Sequence, residues 1–137
     1  MDEDVELTVD RLMTRDPVCI GAEASLADVA DLLEDYGISG LPVIDDRGDL
    51  VGVISRTDLV RVRASLEPWS GWHGLLVADL MSRPVVTVRP RATVSVAAEL
   101  MTSNQVHRLI VVDDDGTPVG VLSETDVVRD IAGGCEE

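Results

Sequence analysis

The chain says the same thing twice. Val9-Asp10-Arg11-Leu12-Met13-Thr14 returns 68 residues later as Val77-Ala78-Asp79-Leu80-Met81-Ser82. At the same offset Leu41-Pro42-Val43-Ile44-Asp45-Asp46 returns as Leu109-Ile110-Val111-Val112-Asp113-Asp114. Val51-Gly52-Val53-Ile54-Ser55-Arg56-Thr57-Asp58 returns as Val119-Gly120-Val121-Leu122-Ser123-Glu124-Thr125-Asp126. No gap is needed, and most remaining pairs exchange one aliphatic residue for another. A duplication of this kind restricts the fold to one supersecondary unit built twice.

Each copy reads in the same order. A short helical turn ends near Met13 or Met81, and a strand follows at Val18–Ile20 or Val85–Val88. Leu26, Val29, Ala30 and Leu33 then repeat at helical spacing, behind a Ser25/Asp28 capping box. Val94, Ala97, Ala98 and Met101 copy that stripe behind Thr93. Two strands, Leu41–Asp45 and Leu50–Ile54, flank an Asp46-Arg47-Gly48 turn, and Leu109–Asp113 and Pro118–Leu122 flank Asp114-Asp115-Gly116. A last helix starts near Thr57 or Thr125. This order predicts an α+β fold of two β-α-β-β-α repeats, packed sheet to sheet with pseudo-twofold symmetry. The repeats are placed at 7–64 and 75–132, with a linker at 65–74 that holds Trp69 and Trp72 and a tail at 133–137.

Composition narrows the function. There is no Phe, and the aromatics are one Tyr and two Trp, so the core must be aliphatic. The formal net charge of −15 opposes binding to a nucleic acid duplex. All basic residues are Arg, so an anionic ligand depends on a few local cations. Cys19 and Cys135 give no disulfide framework. The acidic start has no signal-peptide pattern, and no apolar run reaches the roughly 18 residues of a membrane span. A cytoplasmic protein without a membrane segment is expected.

Ser55-Arg56-Thr57-Asp58 and Ser123-Glu124-Thr125-Asp126 are the chemically informative stretches. The plain reading is a capping box, with Ser on the helix start and Asp answering from three residues on. The functional reading uses the same geometry. A carboxylate at a helix start accepts hydroxyls of a ribose diol, while amides and Ser or Thr hydroxyls hold a phosphate at the positive helix end. One helix start can serve both purposes.

Leu-Met before each first strand, the hydrophobic-Pro-Val-hydrophobic-Asp strand, the Asp-x-Gly turn and Gly-Val-[Ile/Leu]-Ser-x-Thr-Asp together resemble a tandem pair of cystathionine-β-synthase (CBS) domains, the Bateman module, of the stand-alone type. The resemblance implies a regulatory module that binds AMP, ADP, ATP or S-adenosylmethionine in clefts between the repeats, with no cofactor. It implies a first cleft of Val18, Cys19, Ile20, Ser39, Gly40 and Leu41 with Ser123, Thr125 and Asp126. It implies a second of Thr87, Val88, Val106, His107 and Leu109 with Ser55, Thr57 and Asp58. The Asp residues would hold ribose, and His107 and Arg108 stand at the family's phosphate position. Ser39-Gly40 replaces that pair in the first copy, so the two clefts differ, and Arg108 suits either one.

Other chemistry is weakly represented. Cys19 has no neighbouring base in the sequence, and two His with two Cys lack a metal-ligand spacing. No nucleophile triad or Gly-rich phosphate loop is present, so no enzyme is expected. Two functional classes stand side by side: a nucleotide-sensing regulatory module, and a ligand-independent dimerisation module. Both imply a homodimer through helices Leu26–Asp35 and Val94–Ser103, or through the helices after Asp58 and Asp126, and an unidentified regulated protein.

Overall fold

A computed structural model describes residues 7–65 and 74–134. Trp69, Trp72 and Cys135 lie outside the described residues. The elements run α1 (Val9–Leu12), β1 (Thr14–Arg15), β2 (Ile20–Gly21), α2 (Leu26–Tyr36), β3 (Gly40–Ile44), β4 (Leu50–Ser55) and α3 (Arg56–Ser65). Then follow α4 (Val77–Leu80), β5 (Thr87–Val88), α5 (Val94–Asn104), β6 (Arg108–Val112), β7 (Pro118–Ser123) and α6 (Glu124–Gly134). The β-α-β-β-α order occurs twice, as the repeat requires. Strands β2 and β5 are shorter than the sequence suggests, and β1 has no counterpart in the predicted order.

The chain forms two compact units that do not coincide with the sequence repeats. One is Val18–Val85; the other joins the described residues up to Pro17 with those from Val86 onward. The leading segment of each repeat therefore belongs to the unit built by the other repeat. In the first unit the sheet order is β2-β3-β4, with β2 parallel and β4 antiparallel to β3. Ser82 bridges to the outer edge of β4, its N–H donating to Val53 O at 2.8 Å. In the other unit the order is β1-β7-β6-β5, and β1 occupies the matching edge, with Thr14 opposite Val121. The short helices dock the same way. Val77 N–H donates to Ala24 O and Val9 N–H to Ala92 O, at 2.9 and 2.8 Å.

The two cores use equivalent positions. One gathers Ile20, Leu26, Val29, Leu33, Leu41, Val43, Ile54 and Val77. The other gathers Val88, Ala97, Met101, Leu109, Val111, Leu122 and Val9. Val77 and Val9, supplied by the leading segments, are fully buried. Each buried Val, Leu or Ile contributes about 1.5–3 kcal/mol, so a unit lacking its borrowed segment loses a core residue as well as a sheet edge. Both cores are aliphatic, as the composition demands. Among the described residues, no helix is long and apolar enough to cross a membrane.

Local signals hold each unit in register. Ser25 Oγ accepts from Asp28 N–H at 3.1 Å and Thr93 Oγ1 from Val96 N–H at 3.2 Å, fixing the starts of α2 and α5. The hairpin turns are organised by the Asp one residue before each expected turn. Asp45 Oδ1 accepts from Arg47 and Asp49 N–H, and Asp113 Oδ1 from Asp115 and Thr117 N–H, all at 2.9 Å. Helix α2 ends on Gly37 in the left-handed region at φ 62°, whereas α5 ends on Gln105 at φ 56°. A side chain there carries a steric cost that glycine avoids.

The Gly of each Gly-Val-[Ile/Leu]-Ser stretch has a packing cause. A β-carbon on Gly52 would lie 2.8 Å from Met81 Cγ, and one on Gly120 would lie 3.0 Å from Thr14 O and collide with the Met13 sulfur. Leu-Met and Gly-Val-x-Ser are thus two sides of one contact, made between different sequence repeats inside the same unit.

Two stability outcomes are expected, both measured by urea denaturation. Gln105→Gly should stabilise by about 0.5–1 kcal/mol, the relief of left-handed strain less the added unfolded-state entropy; no gain would contradict the strain assignment. Gly52→Ala should cost about 1–3 kcal/mol by overpacking. Combining it with Met81→Ala should cost clearly less than the two single losses together, and strict additivity would refute the contact.

Candidate functional site

Both helix starts close the same hydrogen-bonded ring. Asp58 Oδ2 accepts from Ser55 N–H at 2.8 Å and from Ser55 Oγ–H at 3.1 Å, while Asp58 N–H reaches back to Ser55 Oγ at 3.3 Å. Asp126 repeats this with Ser123 at 2.8, 3.0 and 3.2 Å. The capping reading is therefore correct at both places. It commits only one carboxylate oxygen. Oδ1 of Asp58 faces Arg61 Nη1, and Oδ1 of Asp126 faces Arg129 Nη1, each at 3.7 Å, beyond hydrogen-bond range. The Asp side chains are 11% and 12% exposed and the Arg side chains 74% and 73%. Each unit thus holds a nearly buried carboxylate with one oxygen outside the cap and an exposed arginine 3.7 Å from it.

The strands place the other expected residues beside these starts, unit by unit. Gly40 is directly opposite Ser55 in the β3–β4 ladder, and Arg56 N–H donates to Ser39 O at 2.9 Å. Arg108 is directly opposite Ser123 in the β6–β7 ladder, and Glu124 N–H donates to His107 O at 2.9 Å. Directly opposed residues share a sheet face, so Arg108 accompanies the Ser123–Asp126 ring of its own repeat. Thr57, Thr125, Thr87 and Ser39 are exposed, while Val18, Cys19, Gly40 and Val106 are half-buried. The side chains of Ile20, Leu41, Val88 and Leu109 are buried in the two cores. Those four can offer a ligand only backbone groups.

The two starts differ in charge just after the Ser. Arg56 is folded back on the end of α2: Nε donates to Ile38 O at 3.1 Å, Nη2 to Leu33 O at 3.4 Å, and Nη1 lies 3.5 Å from Glu34. A cation over the carbonyl end of a helix is favourably placed. Glu124 takes the equivalent position and pairs with His107, Nδ1 to Oε1 at 3.1 Å. Burial pushes the Cys19 thiol above its usual range, which disfavours a reactive thiolate.

An open pocket of about 240 Å³ adjoins the first start, lined by Asp58, Arg61, Val62, Asp79 and Leu80. Two larger open grooves, of about 450 and 470 Å³, lie instead against the hairpin turns, lined by residues such as Glu23 and Asp46 or Arg89 and Asp114. They contain none of the candidate residues. Arg56, Arg61, Arg129, Asp79 and Glu124 were not among the residues the sequence singled out. The spacing of three between Asp58 and Arg61, and between Asp126 and Arg129, is the signal that points to two of them.

The family model for the CBS domain matches residues 9–65 and 77–133. Among curated relatives, inosine-5'-monophosphate dehydrogenase of Nitrosopumilus maritimus is 30% identical over 118 residues, which is 86% of this chain and 23% of that protein. The chain therefore spans less than a quarter of that enzyme's length. Among solved structures, CBSX2, a CBS-pair protein from Arabidopsis thaliana, in complex with AMP is 34% identical with a TM-score of 0.76, covering 93% of this chain and 97% of that one. The CBS domain pair of protein MJ0100, in complex with 5'-methylthioadenosine and S-adenosyl-L-methionine, is 25% identical with a TM-score of 0.86, covering 95% and 99%. With both repeats matched end to end and the fold shared, the chain belongs to the CBS domain family and carries two CBS domains in tandem.

Proposed function

We propose that the chain is a regulatory module that binds an adenine nucleotide or another adenosyl ligand and performs no catalysis of its own. The observation that carries this reading is that the cap leaves Oδ1 of Asp58 and of Asp126 uncommitted. The cap fixes each carboxylate through Oδ2, so Oδ1 is pre-positioned to accept ribose hydroxyls without loss of the helix start. Thr57 and Thr125 stand in the first turn beside it, where hydroxyl and amide donors suit a phosphate. Backbone groups of Cys19–Ile20, Ser39–Leu41, Thr87–Val88 and Val106–Leu109 are assigned to the base, with Val18 and Val106 supplying apolar contact. His107 and Arg108 supply the cationic contribution. AMP in CBSX2, and methylthioadenosine and S-adenosylmethionine in the MJ0100 pair, support the ligand class. The net charge of −15 sets a long-range field against polyanions, so AMP is favoured over free ATP.

The same reading includes a homodimer acting on a partner protein in the cytoplasm, a compartment that fits a chain without a disulfide framework. Val60 on α3 and Val128 on α6 are equivalent residues, 68% and 63% exposed, and Ile131 is 61% exposed. Apolar side chains at such exposure, repeated at the same position of each unit, support self-association.

Two outcomes check these assignments. Asp58→Ala and Asp126→Ala should each weaken AMP binding at one site about ten- to a hundredfold and cost about 1 kcal/mol of stability through the lost cap. Calorimetry with 2′-deoxy-AMP separates the roles: binding as tight as AMP would end the ribose assignment, whatever the variants do. Val60→Glu with Val128→Glu should convert a dimer to a monomer in light scattering at micromolar concentration. A wild type already monomeric there would end the dimer assignment.

A further inference from the structure

The two helix starts share their geometry and differ in the charge that faces it. At the Asp58 start, Asp79 on α4 lines the same pocket as Asp58 and Arg61. Its Oδ2 accepts from Leu76 N–H at 2.8 Å, which holds that carboxylate in place. Arg61 is therefore flanked by two carboxylates across a small open space, and its charge is more than offset. The 68-residue offset puts Arg11 on α1 where Asp79 stands on α4, and Asp130 where Val62 stands. Helix α1 packs against α6 and β7 within its unit, as α4 packs against β4. By that equivalence Arg11 is assigned to the Asp126 start beside Arg129, with Asp126 and Asp130 as its carboxylates. Arg108 adds a third cation on the strand opposite Ser123, where the first unit has Gly40, and Glu124 in the first turn of α6 offsets it; at the Asp58 start Arg56 is already paired with Glu34.

We infer that Asp79 and Arg11 are the specificity-determining pair of the two sites: the Asp126 site takes the phosphate-bearing adenosyl ligand, and the Asp58 site favours one without a phosphate. This rests on the adenosyl-binding reading above. The physical reason is short-range. Both sites offer the same ribose acceptor and the same helix start, so the uncharged part of a ligand is held alike. An added phosphate meets net negative charge at the Asp58 start and a neutral, Arg-rich surface at the Asp126 start. Asp79 and Arg11 act on the ligand's charged end while leaving the ribose contact alone.

Calorimetry with AMP and adenosine on single-site proteins tests this. In an Asp126→Ala background, which leaves the Asp58 site to report, Asp79→Asn should raise AMP affinity about threefold and Asp79→Arg about tenfold, with adenosine unchanged. Asp79→Asn retains an acceptor for Leu76 N–H, so it keeps the test valid should the Arg variant fold poorly. In an Asp58→Ala background, Arg11→Asp should lower AMP affinity about tenfold and again leave adenosine unchanged. Equal changes for both ligands, or no change in the AMP-to-adenosine ratio, would overturn the assignment while leaving adenosyl binding intact. A wild type that binds none of AMP, adenosine and S-adenosylmethionine would instead remove the adenosyl reading and this inference with it.

Discussion

A methionine lying on a glycine joins this structure together. Met81 occupies the space above Gly52 that a β-carbon would fill, and Met13 does the same above Gly120. Methionine is unbranched and polarizable and follows an irregular surface, and glycine permits the close approach. Each contact brings a leading segment onto the outer edge of a sheet, where Ser82 bridges to Val53 and Thr14 pairs with Val121. It also carries Val77 or Val9 into the core beneath. Because the segment always comes from the other repeat, neither repeat completes its own unit. Two exchanged leading segments turn a duplicated sequence into interdependent units.

The repeat, the element order and the aliphatic cores were legible in the sequence because each follows from a local pattern. Helical spacing at Leu26, Val29 and Leu33, alternation at Leu41 and Val43, and the Asp-x-Gly turns all act over a few residues. The exchange of leading segments was not legible. It is a long-range choice between two docking places of equivalent shape, and the local patterns that the repeats share do not say which one is taken. Strand β1 went unseen for the same reason: Thr14-Arg15 is strand only because the edge of β7 is available to it. The glycine in each motif reads as a family mark in sequence, and its cause is visible only once the methionine is placed.

The site shows a similar division. The capping box follows from a three-residue spacing, and the structure closes it twice with nearly the same distances. Its use of a single oxygen does not follow from spacing, and under the proposed function that detail lets stability and recognition share one carboxylate. Oδ2 serves the helix, while Oδ1 lies outside the cap, 3.7 Å from an arginine. By contrast, Ile20, Leu41, Val88 and Leu109, which sequence reasoning assigned to ligand contact, have side chains in the cores. A strand that lines a site still has to bury its inward residues.

Duplication explains why geometry and charge have parted. Positions that fix the fold are paired alike at the 68-residue offset: Ser with Ser at the caps, Gly with Gly under Met, Asp with Asp in the turns. Positions near the caps that lie outside the two cores are paired with opposites or unlike residues: Arg56 with Glu124, Ser39 with His107, Gly40 with Arg108, Asp79 with Arg11. None of these exchanges costs a core contact, since buried groups dominate stability and surface charges contribute little. Arg56 illustrates the freedom available. In one unit it ties α3 to the end of α2, and in the other Glu124 turns to His107 instead, with the backbone bond to the residue before β3 or β6 unchanged at 2.9 Å. A scaffold that carries its stability in buried aliphatic residues and in capping oxygens can therefore present two different electrostatic faces from one repeated framework.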